Sequence, residues 1–376
     1  MGVNNMLTKF TVDNYKNFQK PITIDFSATH DYKFNSKCVK NGLLSKLVIY
    51  GPNSSGKSNL GFALFDIVGL LTDKTTDIHQ TDEGSFINAD SDKKEASFIY
   101  EFKKGEESIV YEYKKLSPKK ITYEALYING KKVFSYDFEK RIKDFVNMAL
   151  ISADQLNFEY FENNFAVLRY IAYNTVQQEN SYVKFIMNFV SHMLWFRSLQ
   201  ENGYIGLTTG VELLDPWIAN NKLHKEFQAF LKKFAGLETQ IEVFQPTQQP
   251  PILVEKHKNA DFVFNNIAST GTRALELLFY WSKKFDEVSF LFLDEFDAFY
   301  HYDLARNVLK YIIDLDNVQA VFTTHNSYLA GNDLMRPDCY LVLNHGRLTS
   351  FVDSTDREIR EGHNLEKLLR NGEFDG

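Results

Sequence analysis

The sequence predicts an α/β fold with a mixed sheet, an antiparallel β portion and a helical insertion, and three observations predict it. Residues 47–66, LVIYGPNSSGKSNLGFALFD, run an apolar strand through a glycine-rich turn into a helix. Residues 96–138 break into short alternating runs separated by charged or glycine turns, the pattern of an antiparallel sheet. From about Phe138 to Phe234 the apolar period becomes helical, with AVLRYIAY and VKFIMNFVSHMLWF as its clearest segments.

Taken in order, MLTKFTVDNYKNFQKPITIDF alternates apolar and polar residues on both sides of an Asn-Tyr-Lys-Asn turn and reads as a strand pair. The helix Asn59 to Leu71 carries Leu60, Ala63, Leu64, Ile67, Val68 and Leu71 at helical spacing. ASFIYEF, SIVYEY, ITYEALYING and KKVFSYDF supply the antiparallel strands. FQPTQQPPILVE, residues 244–255, holds three of the eight prolines and cannot continue a helix, so it reads as a connector. Beyond it, helix and strand alternate again. The expected division is an amino-terminal lobe over 1–137, a helical insertion over 138–250 and a carboxy-terminal lobe over 251–376.

An apolar fraction of 44% with 33 Phe and 20 Tyr is enough for a substantial core and argues against disorder. The net charge of −7 argues against a protein whose main work is to coat nucleic acid, and the lysine clusters at 114–120 and 131–132 read as solvated turns. Cys38 and Cys339 lie far apart without CxxC spacing, so no disulfide framework or zinc site is expected. A reducing cytoplasm fits. MGVNNMLTKF lacks an apolar signal core, and no apolar run approaches the ~18 residues of a membrane span, so a soluble chain without membrane contact is expected.

Gly51, Gly56, Lys57 and Ser58 fill G-x-x-x-x-G-K-[ST] after a strand and at a helix start. Such a turn points successive N–H groups at one anion, and the helix adds its positive end. The expected nucleotide-binding residues are Gly51, Pro52, Asn53, Ser54, Ser55, Gly56, Lys57, Ser58 and Asn59, with Lys57 reaching the terminal phosphates and Ser58 ligating Mg2+. VSFLFLDEFD, residues 288–297, is an apolar run ending in two adjacent carboxylates. Asp294 can hold the metal and Glu295 can polarise an attacking water, a pairing suited to nucleotide hydrolysis.

ASTGTRALELLFYW, residues 268–281, starts an amphipathic helix with a Ser-x-Gly turn, a second anion site at Ser269 and Gly271, although an ordinary N-cap has the same residues. AVFTTHNSYLA, residues 320–330, ends a strand at Thr324, His325 and Asn326.

In this order and spacing, with Asp297 just beyond the acidic strand, the motifs resemble the heads of ABC-class ATPases. NYKNF, Asn53 and the loose STGTR are similar to the SMC, RecF and OLD group, and HNLEKLLRNGEF resembles the ending of prokaryotic ATPases called AAA family but built on the ABC plan, often found in phage-defence or abortive-infection systems. The resemblance covers most of residues 6–100 and 260–376 and is faint between. It implies a P-loop ABC-type head that binds ATP and Mg2+. Ser269 and Gly271 would cap the terminal phosphate of ATP held by another copy, and His325 would touch that phosphate and orient water. The glutamine usual at the metal site has two weak candidates, Gln80 and Gln155.

No Toprim-like acidic constellation follows His325, and residues 138–250 show no sustained heptads, so neither a nuclease nor a long arm is expected in the chain. The resemblance then implies an ATPase that forms a homodimer or higher homo-oligomer around ATP and controls a separate effector, a nuclease or toxin. Two rivals stand beside it: a RecF-like DNA-binding repair ATPase, and a scaffold that binds ATP and turns it over slowly.

Overall fold

The computed structural model describes residues 5–74, 85–159, 161, 165–197, 203–207 and 214–375. Its strands alternate apolar and polar where one face meets solvent, and run continuously apolar where both faces are covered.

The chain opens with β1 (Asn5–Asp13) and β2 (Ile22–Asp25), a short hairpin of β3 (Val39–Lys40) and β4 (Leu43–Leu44), and β5 (Lys46–Tyr50), which leads through the glycine turn into α1 (Lys57–Leu71). A meander follows: β6 (Ala96–Lys104), β7 (Glu107–Ser117), β8 (Lys120–Ile128), β9 (Lys131–Asp137) and β10 (Ile142–Phe145). These five join β1 and β2 in an antiparallel seven-stranded sheet ordered β10-β9-β8-β7-β6-β1-β2.

Next come α2 (Val167–Asn174), α3 (Tyr182–Ser191), β11 (Met193–Arg197), β12 (Gly203–Gly206), α4 (Leu214–Asn220) and α5 (His224–Ala235). A small antiparallel sheet of β13 (Ile241–Phe244), β14 (Ile252–Lys256) and β15 (Asp261–Val263) leads to α6 (Phe264–Ile267) and α7 (Thr270–Ser282). The chain ends with β16 (Phe290–Asp294), α8 (Tyr302–Ile313), β17 (Gln319–Thr324), β18 (Tyr340–Asn344), β19 (Arg347–Ser350) and α9 (Leu365–Arg370). The second seven-stranded sheet is mixed, ordered β12-β11-β16-β17-β5-β18-β19: the five inner strands are parallel, and β12 and β19 pair antiparallel at its edges.

Helix α1 is apolar on nearly all sides because it lies between the two sheets. On one side Tyr100 of β6 donates its hydroxyl to the carbonyls of Ala63 and Leu64, at 3.0 and 3.2 Å. Lys115 of β7 holds both oxygens of the buried Asp66 at 2.9 Å, and Tyr113 donates to the same carboxylate. On the other side Phe65 packs on Trp195 of β11 and Phe292 of β16. Removing Lys115 would strand a buried carboxylate, typically a loss of about 3–5 kcal/mol.

Three sequence expectations are corrected. The lysine cluster at 114–120 is not simply a solvated turn: Lys114 and Lys115 lie within β7, and Lys115 is buried on Asp66. The segment VKFIMNFVSHMLWF is not one helix: α3 stops at Ser191, and Met193–Arg197 is a strand paired in parallel with β16. Four apolar residues in a row, buried on both faces, carry no period that separates helix from strand. The proline connector is shorter than residues 244–255, since Ile252–Lys256 forms β14. Among the described residues no helix is long and apolar enough to cross a membrane.

Candidate active site

Strands β16, β17 and β5 are neighbours, all parallel, so their carboxyl ends open onto one crevice. The turn after β5 puts Ser54 and Gly56 at φ 64° and 104°, which curls the backbone into an anion-receiving concavity ahead of α1. Gly56 is required twice over: its φ suits glycine, and a Cβ there would lie 2.4 Å from Asn17 Nδ2. Asn17, from the turn between β1 and β2, donates to the Ser55 carbonyl at 3.1 Å and accepts from Asn59 Nδ2 at 2.7 Å. That turn therefore braces the loop. Ser55 Oγ is buried with no hydrogen-bond partner, an unused donor inside the cradle and one mark that an anion fits it.

Lys57 is buried, and its ammonium donates to the carbonyls of Gly51 and Pro52 at 2.8 and 3.1 Å. It also lies 3.1 Å from Glu295 Oε1. The other oxygen of Glu295 accepts from His325 Nδ1 at 3.0 Å. Lysine, glutamate and histidine are thus chained across the three strand ends. Glu295 sits at φ 47°, a left-handed conformation that a non-glycine residue adopts at a cost and that is enriched at functional sites.

Two threonines ending β17 fix the acids. Thr323 donates to Asp294 Oδ1 at 2.7 Å and accepts from the Glu295 amide at 2.9 Å. Thr324 does the same for Asp297 Oδ1, at 2.7 Å, and the Asn326 amide. Burial raises the Asp294 carboxyl above its usual range, against hydrogen bonds from Thr323 and Ser58 that lower it. Burial likewise raises Asp297, with Thr324 and Asn326 opposing. The Ser58–Asp294 contact joins a hydroxyl and a carboxylate, a hard oxygen pair of the kind that suits Mg2+.

Arg197, at the carboxyl end of β11, is in register with Asp294. Its guanidinium is half-buried over the rings of Phe62 and Trp195, at 5.0 and 5.2 Å, and its charge favours the Asp294 carboxylate. A cation thus flanks the acidic strand from the side away from the phosphate loop. Gln155 is exposed, and its amide donates to neighbouring Asp154; Gln80 lies outside the described residues.

Ser269 is the N-cap of α7, its hydroxyl accepting from the Thr272 amide at 3.2 Å, and it is exposed together with Thr270. Gly271 lies against the loop that follows the acidic strand: a Cβ there would be 2.7 Å from the Phe299 carbonyl. Within one chain Ser269 does ordinary capping work, and the same turn faces outward.

About two turns further along, α7 buries Glu276 against Asp215 of α4, and the two carboxyls hydrogen-bond to each other. Burial first, then the charge of Asp215, pushes Glu276 up to about 9. The folded chain therefore holds a proton that the unfolded chain has released above its own value of 4.5. Stability falls as pH climbs through that window, by at most about 1.4 kcal/mol per pH unit, and levels off above the folded value. Glu276→Gln is expected to be more stable than the parent in urea melts at alkaline pH, with the gap closing towards weakly acidic pH; a pH-independent gap would rule this pair out as the titrating element.

An SMC head domain from Thermotoga maritima is 17% identical, covers 92% of this chain and 98% of its own, and superposes with a TM-score of 0.42. For the Smc head domain with an extended coiled coil, bound to the C-terminal domain of ScpA, from Pyrococcus furiosus, the figures are 15%, 98%, 98% and 0.47. The recombination mediator protein RecF with ATP gives 15%, 92%, 99% and 0.41. No curated protein matches. The phosphate loop, the acidic strand and the histidine-ended strand thus meet at one end of the mixed sheet, and the Ser-x-Gly helix start faces outward. The chain belongs to the family described as "AAA domain, putative AbiEii toxin, Type IV TA system", whose model matches residues 46–331.

Proposed function

We propose that the protein hydrolyses ATP at an interface between two copies of itself and that this closure controls a separate effector, a nuclease or toxin, in prokaryotic antiviral defence. The observation that carries the reading is the chain Lys57–Glu295–His325 across three adjacent strand ends, with the Ser58–Asp294 contact beside it. The family's description, which names a toxin and a toxin–antitoxin system, supports the effector class.

In this reading the backbone from Gly51 to Asn59 binds the phosphates and Ser58 and Asp294 hold Mg2+. Bound Mg2+ would offset the charge of the terminal phosphates. Lys57 cannot hold Glu295 and reach a phosphate at once. Nucleotide entry therefore draws the ammonium away and frees Glu295 to take a proton from water, with His325 keeping the carboxylate oriented. Ser269 and the Gly271 amide of the second copy complete the site.

The test is phosphate release and light scattering on purified protein with ATP, with and without Mg2+. Slow hydrolysis that requires Mg2+ and a doubling of mass with ATP are expected. A chain that stays monomeric with ATP and Mg2+, or releases phosphate equally well in chelator, would overturn the reading.

A further inference from the structure

Besides Lys57, the strand ends carry a second sheltered cation. Arg197 ends β11, which pairs in parallel with β16 and sets Arg197 in register with Asp294. Side chains paired in this way stand on the same face of the sheet, on strands about 4.8 Å apart. That face is the one α1 covers. Ser58 and Phe62 lie one turn apart on the helix, and the Arg197 guanidinium stands over the Phe62 ring at 5.0 Å. The arginine therefore sits beside the pair, Ser58 and Asp294, that suits Mg2+.

Its setting holds the charge in place. Trp195, two residues back on the same face of β11, supplies another ring at 5.2 Å, and the Phe62 and Trp195 rings meet edge to face at 5.0 Å. Two aromatic rings orient the plane of a guanidinium. Its donors are nonetheless underused: Nε is buried with no hydrogen-bond partner, and among the described residues no carboxylate forms an ion pair with Arg197. Asp294, its neighbour in register, has one oxygen bonded to the Thr323 hydroxyl at 2.7 Å. A half-buried cation with spare donors, fixed at the end of a crevice built for an anion, is a ligand-binding group rather than a packing residue.

We propose that Arg197 is a phosphate-binding residue of the nucleotide site, whose guanidinium donates to the terminal phosphate of ATP and so distinguishes ATP from ADP. The inference rests on the nucleotide reading of the site and adds a residue to it. The sheet order β11-β16-β17-β5 puts Arg197 at the opposite end of the crevice from the loop that follows β5, with Asp294 and Glu295 between. Of three phosphates seated on that loop, the terminal one is nearest the acids and hence nearest Arg197. Arginine suits the part, because its planar fork can give two parallel N–H···O bonds to one phosphate. ADP lacks the group that would accept them.

The test reads binding, not turnover: calorimetric titration of the full chain, in Mg2+, with ADP and with the non-hydrolysable analogue AMP-PNP. Arg197→Met keeps an unbranched side chain over the two rings and removes the fork. It is expected to weaken AMP-PNP binding by about 10–100-fold, the worth of a hydrogen bond to a charged group, and ADP binding by less than about threefold. Arg197→Lys keeps the charge without the fork and should fall between the two; it carries the test by itself if the methionine variant does not fold. An equal loss for both nucleotides would make Arg197 a support for Asp294 and the loop, and unchanged AMP-PNP affinity would make it a packing residue. Either result overturns the proposal and leaves the nucleotide reading standing. A parent chain that binds neither nucleotide overturns both. Affinity is read on each chain's own site, so the comparison holds whether or not two copies pair.

Discussion

Glu295→Gln is expected to lower the rate of ATP hydrolysis by about 10²–10⁴-fold, the usual contribution of a positioned general base, while ATP binding survives. The substitution keeps the size and shape of a side chain that follows β16 at φ 47° and reaches both Lys57 and His325. An amide oxygen can still accept from one of them. It cannot take a proton from water. The phosphate loop is untouched, so the variant should load nucleotide and, with the release step blocked, accumulate as an ATP-bound dimer. Single-turnover hydrolysis read beside light scattering separates the two effects. A variant that hydrolyses at the parent rate would remove Glu295 from the chemistry, and one that fails to bind ATP would make its role that of a partner for Lys57 alone.

The parts of the site visible in the sequence are those whose geometry is local. Gly56 and Lys57 are legible because a phosphate turn is made by a few consecutive residues, and Asp294 because a buried parallel strand leaves its last polar side chain at the crevice. The rest depends on strand order, which sequence spacing does not encode. Arg197 flanks Asp294 only because β11 is inserted beside β16, and MLWF reads equally well as helix. Asn17 sits in the quoted NYKNF, yet its hold on Ser55 and Asn59 appears only once β1 and β2 are laid against the loop. Thr323 and Thr324 were within reach: two hydroxylated residues ending a buried strand next to an acidic one have few partners besides those acids.

Mixing two inactive variants is expected to restore activity. Ser269→Asp retains an N-cap, because aspartate caps a helix about as well as serine, so α7 and the fold should persist. The exposed turn, however, would present a carboxylate to the terminal phosphate of the opposite copy, a like-charge contact that costs several kcal/mol, or at least about 10²-fold in rate. Lys57→Ala removes the ammonium from the cradle and should be inactive for the opposite reason. In a mixed dimer one interface carries both defects and the other carries neither, since the intact Lys57 comes from one copy and the intact Ser269 from the other. Random exchange between equal amounts should then return about a quarter of the parental sites in a two-fold dimer. Neither variant alone should gain from added copies of itself. Recovery in the mixture would mean that the Lys57 turn and the Ser269 turn act on one nucleotide from different chains. Full inactivity of a mixture whose components still exchange subunits would mean that Lys57 and Ser269 must be intact in one and the same chain, so that the Ser269 turn does not act across the interface; a Ser269→Asp variant as active as the parent would make its outward face nothing more than the solvated end of α7.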